Sequence, residues 1–194
     1  LHNVIYHIYN RGVNRQNIFI EERNYAYFLS LYTKYIEPVA ETFAYCLLRN
    51  HFHILVRIKP EQTQTLRVSE TLRVLSPSTQ FSNFFNAYAK AINKGYGRTG
   101  SLFQHPFGRV PVTNPRQFYR VVLYIHQNPQ KHKFVDDFRK WKYSSYGALL
   151  IGGQTRLQRA QVLDWFGDPA GFEAMHTDWI KDGESAGFAP DDID

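Results

Sequence analysis

The sequence predicts an α+β fold, a ferredoxin-like βαββαβ sandwich with an added helix and a C-terminal extension, and three observations predict it. Apolar and β-branched residues follow a strand pattern over residues 3–10, 42–48 and 51–58. Two longer stretches, from Glu21 and from Thr79, instead repeat apolar residues at i, i+3, i+4 and i+7. The connection lengths then give the order strand, helix, strand, strand, helix, strand, helix, in which one sheet face packs on two helices and the other is left for a site and the third helix.

Each element has its own justification. Residues 3–10, Asn-Val-Ile-Tyr-His-Ile-Tyr-Asn, are β-branched and aromatic, and Asn10-Arg11-Gly12 is a turn signal that brings Arg11 to the strand end. Arg11, Asn14 and Arg15 could touch phosphate or could form a solvated loop. Tyr25, Phe28, Leu29, Tyr32, Tyr35 and Ile36 make the core stripe of a helix that Pro38 stops. Residues 42–48 and the strand beginning at His51 form an antiparallel hairpin through a tight Arg49-Asn50 link. Residues 60–77, polar and bounded by prolines, read as a connection with at most a short helix.

Phe81, Phe84, Phe85, Tyr88 and Ile92 stripe a second helix over 79–94, with Ser78 or Thr79 as its cap, Gly95 at its end and Lys90, Lys94 and Arg98 as a basic terminus. Residues 102–112 are a fourth strand, irregular around Pro106 and therefore expected at an edge or bulge. Asn114-Pro115 caps a third helix over 115–127. Residues 141–146 read as an aromatic-anchored loop, 157–166 and 169–180 as short helices, and 183–194 as a frayed acidic end. The division expected is a domain over 1–147 and a helical, acidic extension over 148–194.

Chemistry concentrates in Arg49-Asn50-His51-Phe52-His53-Ile54-Leu55-Val56-Arg57. Strand alternation puts Phe52, Ile54, Val56 and Ile58 on one face and His51, His53 and Arg57 on the other. Two imidazoles one pleat apart can ligate a divalent ion, or can simply decorate an exposed strand face; two ligands do not complete a site.

Charge is unevenly placed. Residues 151–194 hold three basic and nine acidic side chains, a net of −6, which leaves residues 1–150 with 20 basic and 8 acidic, a net of +12. A body this cationic and this aromatic suits a nucleic acid, although a basic surface can also serve solubility alone. No apolar run reaches membrane-spanning length and none reads as a signal peptide, so no membrane partner is expected. The single cysteine, Cys46, excludes an intrachain disulfide and fits a reducing cytoplasm. The chain opens on Leu1 without a methionine, so native N-terminal residues are expected to be missing or altered.

On the third helix, Phe118, Val121, Val122 and Ile125 make the buried stripe, and Tyr124 lies on a flank with Gln117, Arg120 and Asn128. Among 13 tyrosines, periodicity does not single this one out. A resemblance does. His51-Phe52-His53 resembles the histidine–hydrophobe–histidine motif of HUH single-strand nucleases, and Tyr124-Ile125-His126-Gln127-Asn128-Pro129 resembles the Tyr-Ile-x-x-Asn-Pro block of their single-tyrosine transposase branch. The blocks 6–12, 98–104 and 141–146 match in the same order, so the resemblance spans about residues 4–147. The extension beyond 147 is most like that of the REP-associated tyrosine transposases.

This resemblance implies a bacterial, cytoplasmic, nucleoid-associated enzyme that binds a REP-like DNA hairpin and cuts and rejoins the adjacent single strand, as a monomer or homodimer. It implies Mg²⁺ or Mn²⁺ held by His51 and His53, with Asn128 as a further ligand and Gln127 as the fallback, since Asn128 precedes Pro129 where helical geometry is disfavoured. Tyr124 is then the catalytic nucleophile that leaves a 5′-phosphotyrosine and a free 3′-hydroxyl. Arg11, Arg15, Arg49, Arg57, Lys90, Lys94, Arg98 and Arg120 are the expected DNA contacts. Two other readings stay open: a hairpin-binding protein with lost catalysis on the same fold, and an RNA-binding ferredoxin-like module, which would leave the Tyr124 block without a purpose.

Overall fold

Strand propensity and helical periodicity resolve into the predicted order in a computed structural model that describes residues 3–60 and 75–182. β1 (Ile5–Arg11), β2 (Ala40–Leu47), β3 (His51–Ile58) and β4 (Gly108–Val112) form one antiparallel sheet in the order β2-β3-β1-β4. That is the ferredoxin-like arrangement, with β4 at an edge as its prolines require. The expected short helix within 60–77 falls largely on 61–74, and the frayed end on 183–194; both stretches lie outside the described residues.

α1 (Glu22–Tyr35) and α2 (Pro77–Gly95) cover one sheet face. Phe28, Tyr32, Phe84 and Tyr88 from the helices meet Ile8, Phe52, Ile54 and Val56 from the strands in a first core. Ser76 caps α2 by accepting from the Thr79 amide, with Pro77 in the first turn, so the helix starts two residues before the predicted Ser78 or Thr79 cap.

α3 (Pro115–Lys131) lies on the opposite face and builds a second core with Phe43, Leu48 and Leu55. It runs four residues beyond its predicted end, straight through Pro129. Proline forfeits only one hydrogen bond there, in the last turn, and both Asn128 and Pro129 are buried, so packing outweighs the local preference.

The segment after residue 147 belongs to this second core. α4 (Tyr146–Leu150), α5 (Arg159–Trp165) and α6 (Pro169–Asp182) contribute Leu149, Val162, Phe166 and Phe172, while the Leu47, Ser145 and Gln158 amides donate across the free edge of β2. A buried polar chain ties α6 to α3. His176 Nδ1–H donates to the Phe172 carbonyl (2.7 Å), so its Nε2 accepts from His126 Nδ1–H (2.8 Å), and His126 Nε2 accepts from the Ser145 hydroxyl (2.8 Å). Burial keeps both rings neutral, holding His176 down at about 4 and His126 well below the ordinary value.

Candidate active site

The sheet face under α3 carries the histidines because of strand register. Tyr9 pairs with His53, Arg11 with His51 and His7 with Leu55, so His7, Tyr9, Arg11, His51 and His53 project from one side of two neighbouring strands. α3 crosses that side and sets the Tyr124 ring edge-on to His53 at 5.3 Å between centroids and to His7 at 6.1 Å. The tyrosine is not on an exposed polar flank, as its wheel position suggests; it is 7% exposed, because the flank faces these imidazoles rather than solvent.

Hydrogen-bond partners decide the tautomers. Asn50 Oδ1 can only accept, so His51 Nδ1–H donates to it at 2.7 Å. His51 Nε2 stands 3.1 Å from Asn128 Oδ1, while Asn128 Nδ2 donates to the Tyr124 carbonyl. When the ring is neutral with its proton on Nδ1, this Nε2 and Asn128 Oδ1 form a nitrogen–oxygen donor pair that could hold a cation. Among the described residues no three His, Cys, Asp or Glu side chains converge on one point, so a metal set here would be two imidazoles and an amide. The amide oxygen suits magnesium or manganese, whereas imidazoles by themselves favour softer transition-metal ions.

Burial and neighbours keep His7 and His53 uncharged. His53 is held well below the ordinary histidine value, first by burial and then by His7, His51, His132 and Arg11; burial alone lowers His7 to about 3. A neutral imidazole is the form that ligates. Lys131 sits one helical turn past Asn128 with its Nζ 5.4 Å from the Tyr124 ring centre, a cation–π distance. A cleft of about 310 Å³ opens beside the histidines, lined by Tyr9, Asn10, Arg11, Gln104 and Phe107. The larger cavity, about 450 Å³ between α1 and residues 154–157, is remote from this chemistry, and its charged lining, Glu37 and Arg156, is paired with itself at 2.8 Å.

With that geometry in view, the chain was compared with known proteins. No family model matches it. A protein of Haemophilus influenzae named "Putative REP-associated tyrosine transposase" is 27% identical over 133 residues, covering 66% of this chain and 68% of its own. A solved structure, described as a REP-associated tyrosine transposase bound to a REP hairpin, superposes with a TM-score of 0.60 at 13% identity, over 79% of this chain and 88% of that one. The chain is similar to the REP-associated tyrosine transposases. The likeness to the transposase structure carries the fold, and the sequence likeness reaches the curated transposase over two thirds of both chains.

Within this transposase-like frame the expected site residues divide. His51, His53, Asn128 and Tyr124 are brought together by β3 and α3. Gln127 is turned away and donates to the His176 carbonyl at 2.7 Å, which leaves it no part beside the imidazoles. Arg11 lines the cleft; Arg15 lies exposed in the turn after β1, and its carbonyl accepts from Asn50; Arg49 is exposed in the link before β3.

Other basic residues sit elsewhere. Arg57 is committed to Glu41, donating from Nε (2.7 Å) and Nη2 (2.5 Å), and also to Gln161. Arg120 lies over Trp179 on the α6 side. Lys90 and Lys94 are exposed on α2, which packs on the other sheet face, and Arg98 bonds Asn93 and Gln16. The sequence reading assigned no role to His7, Lys131 or His132, whose ring lies 4.9 Å from that of His51. His7 alone had a signal, since it shares the period-two face of β1 with Arg11.

Among the described residues no helix is long and apolar enough to cross a membrane.

Proposed function

We propose that the chain is a metal-dependent single-strand DNA endonuclease and transposase, which grips a DNA hairpin and cuts and rejoins the flanking strand through a 5′-phosphotyrosine on Tyr124. One observation carries the reading: a tyrosine ring and a pair of imidazoles with a facing amide oxygen converge within a single chain, 5.3 Å apart at the closest rings. The hairpin on the solved transposase supports the choice of partner.

In the cut, Tyr124 Oη bonds to phosphorus, the bond to the 3′ oxygen breaks, and that oxygen takes a proton; rejoining reverses the exchange, so no nucleotide cofactor is consumed. A free phenol has a pKa of about 10 and is a weak nucleophile at neutral pH. Lys131 lies over the ring, Arg11 lines the cleft, and Arg15 and Arg49 are exposed in the turns after β1 and before β3, where they hold phosphates of the entering strand. An ion held by His51, His53 and Asn128 would polarise the scissile phosphate and offset the charge that builds on it.

Near-complete burial of Tyr124 favours one other reading, hairpin binding without chemistry. Incubation with hairpin-tailed single-stranded DNA and Mg²⁺ separates the two. The proposed enzyme gives a denaturation-resistant protein–DNA adduct that Tyr124→Phe abolishes while hairpin binding survives. No adduct from the unaltered protein leaves only the binder, and an adduct that persists in the variant moves the nucleophile to another residue.

A further inference from the structure

We propose that His7 is a positioning residue, which accepts the Nδ1 proton of His53 and so leaves His53 Nε2 bare for the ion. The inference rests on the metal site proposed above and adds to it the group that fixes the second imidazole. His7 Nε2 lies 3.0 Å from His53 Nδ1, both rings are buried, and they lie 30° from parallel. A single proton occupies that contact. When His53 gives its Nε2 lone pair to an ion, its ring proton must sit on Nδ1, and His7 Nε2 is then the acceptor that keeps a buried N–H from being wasted.

The neighbouring imidazole is built the same way. His51 Nδ1–H is held by Asn50 Oδ1 at 2.7 Å, and its Nε2 is the atom turned to Asn128. Two acceptors from different places, the residue before β3 and the middle of β1, thus impose one tautomer on both rings. Outer partners of ligating histidines act in this manner, fixing the tautomer and the ring orientation.

The test reads the tautomer and the affinity separately. Long-range ¹H–¹⁵N imidazole spectra of the metal-free protein should show His53 protonated on Nδ1, a readout that needs no variant and no activity. His7→Phe keeps a ring but offers no acceptor, so His53 should move its proton to Nε2, and Mn²⁺ affinity followed by the free-ion electron paramagnetic resonance signal should fall by about 10–100-fold. His7→Gln, which can still accept, should restore most of that affinity. His53 carrying its proton on Nε2 in the unaltered protein, or equal Mn²⁺ affinity in His7→Phe, would overturn the inference while leaving the metal site standing. Absence of Mn²⁺ binding by the unaltered protein would overturn the site and the inference together.

Discussion

Gly108 opens β4 directly opposite Tyr9, and a β-carbon added there would stand 2.0 Å from Cε2 and Cζ of the Tyr9 ring. Ordinary contact begins at about 3.4–4 Å, so Gly108→Ala must drive the ring back by about 1.4–2 Å or part the two strands. The ring already packs 5.2 Å from His7 and 6.0 Å from His53, so it can retreat only toward the cleft it lines. Gly108 does not occupy the left-handed region, so no backbone strain is added and the whole cost comes from the ring. Overpacking of this kind costs about 1–3 kcal/mol, which for a chain of this length lowers the melting temperature by about 2–12 °C. Thermal unfolding followed by circular dichroism measures it, and a double-mutant cycle assigns it. In a Tyr9→Ala background the same change should be neutral or slightly favourable, since alanine suits a strand better than glycine. Equal losses with and without the Tyr9 ring, or no loss in Gly108→Ala alone, would refute the packing argument.

Four further outcomes follow from the same contacts. His176 titrates near 4 in the folded chain and near 6.5 unfolded, so the unfolded state binds the extra proton between those values and stability falls as pH drops through that window, by about 3 kcal/mol from this group alone. His7 acts with the same sign, so His176→Gln should flatten the fall in melting temperature between pH 7 and pH 5 without abolishing it; an unchanged slope would contradict the neutral polar chain. Arg15→Ala should weaken hairpin binding and reduce the salt slope of log K by about one, whereas Arg57→Ala, which breaks the contact with Glu41, should lower the melting temperature and leave hairpin affinity within two-fold. Lys131→Met, which removes the cation packed over the Tyr124 ring, should slow adduct formation at neutral pH with hairpin affinity changed less than the rate. Residues 1–147 expressed alone should fail to melt cooperatively, because Val162, Phe166 and Phe172 leave the second core, each worth about 1.5–3 kcal/mol of burial against a total stability of about 5–15.

Period and spacing carried most of the architecture: three helices and three strands lie within a few residues of their apolar patterns, the fourth strand begins only at Gly108 rather than at residue 102, and the hairpin through Arg49-Asn50 put His51 and His53 on the face away from the first core. What local pattern could not carry was decided by tertiary contacts. Gln127 and Asn128 are adjacent on α3, and only the presence of α6 on one side and the imidazoles on the other separates them, one bonded to His176 and the other beside His51. His7 needed the sheet order, because its place beside His53 follows from β1 lying next to β3. Arg57 shows where even a correct hairpin misleads. The pairs Leu47–Phe52 and Tyr45–Ile54, continued without interruption, would set Arg57 opposite Thr42. A register shift between Thr42 and Ala44 moves the pairing by one residue, so Arg57 faces Glu41 instead. A free cation at the far end of the histidine strand, a fair DNA contact on alternation alone, thereby becomes half of an ion pair closed over Phe43, and the basic surface beside the site contracts to the arginines of the two turns that flank His51.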